Sequence, residues 1–289
     1  MNYSFALETR IDTLLQKRGI VGHTAAERFI EDFKAYLCYY ATKFDVLAED
    51  TVALLENDEN LLSNKILYTN FRADIADLIS TPLREDPIFP HLFKKLVDNK
   101  GKGVGVGELA LPLIIAGYSF SNDSDGIMDN GDKVEIKKNG ASLKPVKTGL
   151  TDKGLVDTLN KKYWNGTVPG MKSAKKFEAH LAEVKDPTQY AAYFAELYVG
   201  CDVTELATEV MEGYRTAQRF NNAVGKFALK NYKRVDGWNN ILYIDDEKMT
   251  VVNICDVDNI DNLGLSFSPK LARGKDTQAI ADGYVNVKI

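Results

Sequence analysis

Two acidic residues and a lysine lie around one predicted turn, at spacings that could support chemistry. Nine residues separate Asp125 from Glu135, and Lys137 follows Glu135 at the second position, in the stretch DGIMDNGDKVEIKK. Alternate residues of a strand share a face. We therefore expect Glu135 and Lys137 to point together, with Val134 and Ile136 on the opposite, core-facing side. Carboxylates grouped in this way could bind a divalent cation.

Whether the two acids meet depends on the length of the turn. A two-residue loop at Asn130-Gly131 would place Asp125 opposite Ile136, on the wrong face. A three-residue loop at Asp129-Asn130-Gly131, with its glycine left-handed and bulged, would place Asp125 opposite Glu135. Both loops are common, although D-N-G suits the three-residue form. Facing carboxylates repel each other, so the longer loop predicts a cation between them.

A third carboxylate, Glu108, lies in the stretch GKGVGVGELALPLIIAGY, where we predict a glycine-rich entry into an apolar helix. A glutamate near a helix N-terminus is favourable through the helix dipole alone, so a structural role for Glu108 stays open beside a functional one. Pro112 must lie in the first turn of that helix or kink it. The glycines match neither the phosphate loop of nucleotide-driven motors nor the dinucleotide-binding fingerprint.

Lysine is concentrated in one part of an acidic chain. The net charge is −5, yet residues 133–176 contain eleven lysines against three acids. This asymmetry predicts one anion-facing surface, with a solvated lysine-rich loop as the alternative. The candidate phosphate-binding residues are Lys138, Lys144, Lys147, Lys161 and Lys162. The neighbouring Tyr163 and Trp164 could stack on an unpaired base or belong to the core.

Other site types find little support in the sequence. Cys38, Cys201 and Cys255 are far apart, as are the three histidines, which argues against a Cys/His metal site. The longest apolar run is too short to cross a membrane, and the N-terminus lacks the apolar run of a secretory signal. We therefore expect no membrane partner and a reducing, cytoplasmic location.

The helical and strand patterns along the chain indicate an α+β (mixed α/β) fold, whose elements must position these residues. Residues 1–95 have helical periodicity, above all in segments 27–44 and 51–80. Residues 96–175 hold the hairpin and a basic loop, and residues 176–235 are again helical. Residues 236–289 contain four strand-like stretches expected to complete the sheet around the hairpin.

The combination of Glu108, Asp125 and the strand Glu135-Ile136-Lys137 resembles the PD-(D/E)xK nuclease superfamily. The string GELALPL…DGIMDNGDKVEIKKNGASL is also similar to nuclease-like proteins of tailed bacteriophages. In that family a helix carries an acid, a hairpin carries an aspartate, and the next strand carries the (D/E)xK motif. Ser124 replaces the proline of the motif.

The resemblance implies a catalytic site and a substrate. Asp125 and Glu135 would hold Mg²⁺, or Mn²⁺, with the Ile136 carbonyl as a further ligand and Glu108 binding directly or through water. Lys137 would position the attacking water and offset charge on the phosphate. The substrate would be DNA, cut internally or from an end, in the host cytoplasm. The alternative is an inactive nuclease-like protein that binds DNA or other phage proteins as part of a virion or its assembly.

Overall fold

The computed structural model describes residues 4–22, 26–97, 104–121, 124–143, 158, 161–163, 192, 208, 217–271 and 281–289. The fold is α+β, as predicted. The chain forms two compact units: Met1–Asn139 with Trp238–Asp256, and Gly140–Gly237 with Val257–Ile289. The boundaries expected near residues 95, 175 and 235 stay predictions.

Helices dominate the first part of the first unit. Their bounds are α1 Phe5–Lys17, α2 Glu27–Phe44, α3 Ala48–Glu56, α4 Thr81–Glu85 and α5 Phe89–Val97. Helix α2 buries Phe29, Phe33 and Leu37 at four-residue spacing, which places them on one face. Asp86 lies before α5 and accepts hydrogen bonds from the backbone N–H groups of Ile88 and Phe89 at 2.9 and 2.6 Å. It thereby satisfies donors at the helix start.

The prediction that residues 51–80 are helical throughout is wrong. Helix α3 ends at Glu56, and strand β1 (Leu62–Ser63) and strand β2 (Phe71–Asp74) follow, with short 3₁₀ turns around them. Asn57 accepts a hydrogen bond from the N–H of Glu59 at 3.1 Å, and Asp58 pairs with Arg18 at 2.7 Å. Short polar side chains of this kind compete with helical hydrogen bonds, which explains the break.

The first unit contains a six-stranded sheet. Its further strands are β4 Tyr118–Phe120, β5 Gly126–Met128, β6 Lys133–Lys138, β8 Asn240–Asp245 and β9 Thr250–Ile254, in the order β2-β9-β8-β6-β5-β4. Strand β3 (Ile115–Ala116) pairs separately with β1. Neighbours in the large sheet are antiparallel except β6 and β8, which run parallel. Two of the four predicted C-terminal strands therefore extend the sheet of the hairpin.

The core of the first unit lies between the helices and one face of this sheet. Val134 and Ile136 of β6 belong to it, together with Leu242 and Ile244 of β8 and aromatic residues of α2 and α5. The even-numbered positions of β6 therefore face the core, as the alternation predicted. Glu135 and Lys137 occupy the alternate positions of the same strand.

The second unit has its own small sheet. Strands β10 (Ser266–Leu271), β11 (Ala281–Lys288) and β7 (Ser142–Leu143) are antiparallel in the order β10-β11-β7. The other two predicted C-terminal strands lie here and not in the sheet of the hairpin. Helix α6 (Ala217–Asp236) packs on β10, where a Cβ at Gly225 would overlap the ring of Phe267. Among the described residues no helix is both long and apolar enough to cross a membrane.

Candidate functional site

The turn between β5 and β6 is the three-residue form. Gly131 has φ +88°, and its N–H donates to the carbonyl of Met128 at 2.8 Å. The N–H of Met128 donates to the carbonyl of Asp132 at 2.9 Å. Gly126 pairs with Val134 and Ile127 pairs with Lys133. The two-residue alternative is therefore excluded.

This register places Asp125, the residue before β5, opposite Glu135. The Oδ2 atom of Asp125 accepts a hydrogen bond from the backbone N–H of Ile136 at 2.7 Å. The Asp125 side chain thus adds one hydrogen bond to β6 beyond the end of β5. Burial raises the pKa of Asp125, although the Ile136 N–H and the positive charge of Lys137 oppose the shift. Burial thus disfavours the ionised carboxylate, and a positive charge placed beside it would favour that form.

Glu135 and Lys137 are in contact on β6. The Lys137 ammonium donates to the Oε1 of Glu135. Only 4% of Glu135 is exposed, and 25% of the Lys137 side chain is. Charged residues are seldom buried unless they are paired. The lysine therefore compensates a carboxylate that lies largely out of water.

Glu108 lies in a turn, and the prediction that it begins an apolar helix is wrong. Residues 107–110 form turns, and a short 3₁₀ segment, Leu111–Leu113, follows before β3. Pro112 lacks the N–H that an α-helix needs at that position. Gly107, at φ +79°, adopts a left-handed conformation that ordinary helices exclude. The acid is thus held by a turn rather than by a helix.

The glycine run brings the backbone close to the Glu108 carboxylate. The N–H of Gly105 donates to its Oε1 at 2.7 Å, and a Cβ at position 105 would press against the same oxygen. Burial, and next the negative charge of Asp125, raise the pKa of Glu108 to about 7, while the Gly105 N–H and Lys137 oppose the shift. Glu108 therefore lies within electrostatic reach of both Asp125 and Lys137.

Stability of the metal-free protein is expected to depend on Glu108. Its pKa is near 4.5 when unfolded and about 7 when folded, so the folded state retains a proton between these values. The free energy of unfolding should then fall, by about 3 kcal/mol from this group, as the pH rises from 4.5 to above 7, because each pKa unit corresponds to about 1.4 kcal/mol. Glu108→Gln keeps the acceptor for Gly105 and should remove this loss. Urea unfolding in EDTA from pH 4.5 to 8 measures it.

The matched control is Glu247→Gln, which changes an exposed glutamate in the turn between β8 and β9. Its stability should follow the wild-type pH dependence. A Glu108→Gln variant that loses stability with rising pH as steeply as the wild type would contradict the assignment of the proton to Glu108.

The carboxylate oxygens of Asp125, Glu135 and Glu108 are the type of ligand that Mg²⁺ or Mn²⁺ prefers. Mg²⁺ prefers carboxylate oxygens, commonly one or two of them, and keeps several waters. The hairpin register, continued one residue beyond the Gly126–Val134 pair, sets Asp125 opposite Glu135, and burial raises the pKa values of Asp125 and Glu108. Across the described parts of the chain, no three His, Cys, Asp or Glu side chains are grouped to hold one ion. Ligation by Glu108 as a third carboxylate stays a prediction.

The predicted phosphate-binding lysines are only partly described. Lys138 is half exposed, and its ammonium pairs with Asp246 at 2.8 Å. It alternates with Lys137 along β6 and so lies on the other face of the strand. Lys161 and Lys162 are exposed helical residues of the second unit, with the Lys162 ammonium 5.1 Å from the ring centre of Tyr163. Lys144, Lys147 and Trp164 lie outside the described residues.

Tyr118 is a residue of this region that the sequence did not single out. It lies on β4, and its side chain is fully buried. A Cβ at Gly126 would overlap its hydroxyl and its ring, so the tyrosine tip sits against the backbone next to Asp125. The apolar run that contains Tyr118 gave no sign of this, because the contact arises only when β4 pairs with β5.

Replacing Gly126 by alanine is expected to lower the free energy of unfolding by about 2 kcal/mol, because the new methyl group overlaps the Tyr118 side chain. Adding Tyr118→Phe should not restore stability, since the ring carbon Cζ also overlaps the added Cβ. Urea unfolding of the single and double variants measures both effects. An alanine variant as stable as the wild type would show that the tyrosine does not occupy this space.

Comparison of the chain with protein-family models, with curated proteins and with solved structures finds no match in any of the three. The site is therefore interpreted from its own residues and their arrangement.

Proposed function

We propose that this protein is a Mg²⁺-dependent phosphodiesterase that cuts DNA, encoded by a tailed bacteriophage. The observation that carries the proposal is the register of the hairpin. Asp125 stands opposite Glu135, and the ammonium of Lys137 contacts the Glu135 carboxylate. This is the arrangement that the D-x₉-ExK spacing requires for a PD-(D/E)xK site. An acid pair with an adjacent lysine is not needed to stabilise a hairpin.

Asp125, Glu135 and Lys137 would have different roles in phosphodiester hydrolysis. Asp125 and Glu135 would hold Mg²⁺, which supplies positive charge against the phosphate. The Asp125 carboxylate is fixed by the Ile136 N–H at 2.7 Å, so its orientation does not depend on the ligand. Lys137 is close enough to Glu135 to orient an attacking water, and its positive charge would offset the negative charge that develops on the phosphate oxygens.

DNA as the substrate follows from the resemblance and from the lysine-rich segment. Phosphate contacts by lysine position a nucleic acid without reading its sequence. Among the described candidates, Lys161 and Lys162 are exposed lysines. The proposal covers both internal cutting and degradation from an end.

A second candidate is a nuclease-like protein that binds DNA or other phage proteins, as part of a particle or its assembly, without cutting. One observation favours it: in the described ranges, no three acidic, histidine or cysteine side chains are grouped to hold one ion. The Glu135 carboxylate is meanwhile engaged by Lys137. Both features are expected of a protein that keeps a nuclease-like fold and has altered metal ligands.

Cleavage of supercoiled plasmid separates the two candidates. Wild-type protein should nick or degrade the plasmid with Mg²⁺ or Mn²⁺, and neither in EDTA nor after Glu135→Ala. Calorimetry of the DNA-free protein should show Mg²⁺ binding that the variant loses. No cleavage of plasmid, linear or single-stranded DNA, together with no heat of metal binding, would refute the enzyme.

A further inference from the structure

Helices α2 and α5 share a surface of contacting aromatic rings. The ring centre of Tyr40 lies 5.9 Å from that of Phe44 and 5.4 Å from that of His91, and both pairs are stacked. Tyr39 meets Tyr40 edge to face at 5.0 Å, and the ring centre of Tyr36 lies 6.5 Å from that of Tyr40. Such distances are those of favourable aromatic pairs. We call these five residues the aromatic surface.

The aromatic surface is open to solvent. Tyr39 is 55% exposed and His91 is exposed, whereas Tyr36 and Phe44 are half-buried and only Tyr40 is buried. Single exposed apolar side chains are common and need no explanation, but a contiguous exposed group marks an interaction site. The aromatic surface is therefore a candidate binding surface.

Lys43 adds positive charge to the aromatic surface. Its ammonium lies 5.4 Å from the ring centre of Phe44 and 5.9 Å from that of Tyr40, within the range of cation–π contacts. The Lys43 side chain is exposed, and it forms no ion pair with a described residue. Its charge is therefore not neutralised by an acid in the described part of the chain.

Helix α5 contributes further positive charge. Lys94 and Lys95 follow His91 by three and four residues, which places the three side chains on one side of the helix. Both lysines are exposed, and among the described residues neither has an ion-pair partner. Residues 36–44 and 89–97 contain no acid. Lysines in a last helical turn also complement the helix dipole, but the dipole does not account for the aromatic rings beside them.

We propose that the aromatic surface binds single-stranded nucleic acid. An unpaired base would stack on the exposed ring of Tyr39, and phosphates would contact Lys43, Lys94 and Lys95. Aromatic rings combined with positive charge are the features by which proteins hold single strands without reading their sequence. The bases of a duplex are already stacked on one another, so only a single strand can use the rings.

The aromatic surface is separate from the carboxylate cluster. The core of the first unit lies between the helices and one face of the six-stranded sheet, and this core includes Val134 and Ile136 of β6. Glu135 and Lys137 occupy the alternate positions of β6 and point away from that core. Binding of a single strand to α2 and α5 therefore requires neither a metal ion at Glu135 nor the proposed nuclease activity.

Fluorescence anisotropy of fluorescein-labelled oligothymidylate in EDTA tests the proposal. The wild type should bind the oligonucleotide, and Tyr39→Ala should weaken its affinity roughly 10-fold, because one stacking ring is lost. Phe5→Ala removes an exposed ring of α1 and is the matched control, expected to stay within about twofold of the wild type. Unlabelled oligothymidylate should displace the labelled strand at a lower concentration than duplex DNA of the same length. Circular dichroism confirms that each variant is folded.

The salt dependence of the affinity measures the lysine contacts. The logarithm of the binding constant should fall linearly with the logarithm of the salt concentration. Lys43→Gln should reduce the slope by about 0.7, the value for one phosphate contact of a single strand. Lys65→Gln changes an exposed lysine between β1 and β2 and should leave the slope unchanged. Glu135→Gln should bind oligothymidylate as tightly as the wild type, because its side chain lies on the other face of the sheet.

Three results would overturn the proposal. The first is no binding of oligothymidylate by the wild type. The second is equal affinity of Tyr39→Ala and Phe5→Ala, which would assign the aromatic surface to a protein partner instead. The third is competition by duplex DNA as effective as that by the single strand, which would exclude base stacking. None of these results bears on cleavage of plasmid DNA, so the nuclease proposal is tested separately.

Discussion

Replacing Lys137 by methionine is expected to lower the free energy of unfolding by about 3 kcal/mol in metal-free protein. The lysine is the cation in contact with the Glu135 carboxylate, and that carboxylate belongs to a residue only 4% exposed. Methionine retains most of the chain length but none of the charge, which leaves a buried anion without its partner. Urea unfolding at pH 7 with EDTA measures the loss.

The neighbouring Lys138→Met variant is the control. Lys138 pairs with Asp246 at 2.8 Å, but its side chain is 50% exposed, so its removal should cost less than about 1 kcal/mol. The double variant Glu135→Gln/Lys137→Met should recover most of the stability, because neither charge then remains buried. A Lys137→Met variant no less stable than Lys138→Met would show that solvent, and not Lys137, compensates Glu135.

Glu135→Gln is expected to reduce Mg²⁺-dependent DNA cleavage at least about 100-fold, with little change in stability. An amide has nearly the shape of the carboxylate and can still accept a hydrogen bond from Lys137, but it is a poor ligand for Mg²⁺. The measurement is the rate of plasmid nicking at saturating protein, with circular dichroism to confirm folding.

Glu247→Gln is the control for this variant, since it removes one acid from the exposed turn between β8 and β9. It should cleave at the wild-type rate. Cleavage by Glu135→Gln at that same rate would place the chemistry elsewhere, even if the protein proves to be a nuclease. Added Mg²⁺ should also stabilise the wild type against urea and fail to stabilise Glu135→Gln, because a ligand that binds only the folded state raises its stability.

The local chemistry of the hairpin made its register predictable. Asp129-Asn130-Gly131 places a glycine where the three-residue turn needs a left-handed residue, and Gly131 has φ +88°. From that turn the pairing of Asp125 with Glu135 follows by counting residues. The strands near the C-terminus were also predictable, because β8 and β9 are short runs rich in apolar and β-branched residues, separated by turn residues.

Predictions failed where tertiary contacts or backbone constraints outweighed periodicity. The stretch after Glu56 has helical spacing, but Asn57 and Asp58 bind backbone and side-chain partners that end the helix. The stretch around Glu108 is apolar enough for a helix, yet Pro112 and the left-handed Gly107 prevent one. In both places a few polar or backbone-restricted residues decided the local structure.

Tyr118 and the pairing of β6 with β8 could not be found from sequence. The position of Tyr118 against Gly126 depends on strand pairing across a loop, which no local pattern encodes. The parallel pairing of β6 with β8 joins segments separated by residues 139–239. Contacts over such a separation leave no periodic signal in the intervening chain.

The parallel pair also has a consequence for how the chain folds. As the protein emerges from the ribosome, β6 is complete long before β8 exists, because the second unit's residues 140–237 come between them. Until then the strand that carries Glu135 and Lys137 is an edge, with a row of unpaired backbone groups open to other chains. Charged side chains on an edge discourage such association. The residues proposed for catalysis would thus protect the nascent sheet from aggregation before they meet any substrate.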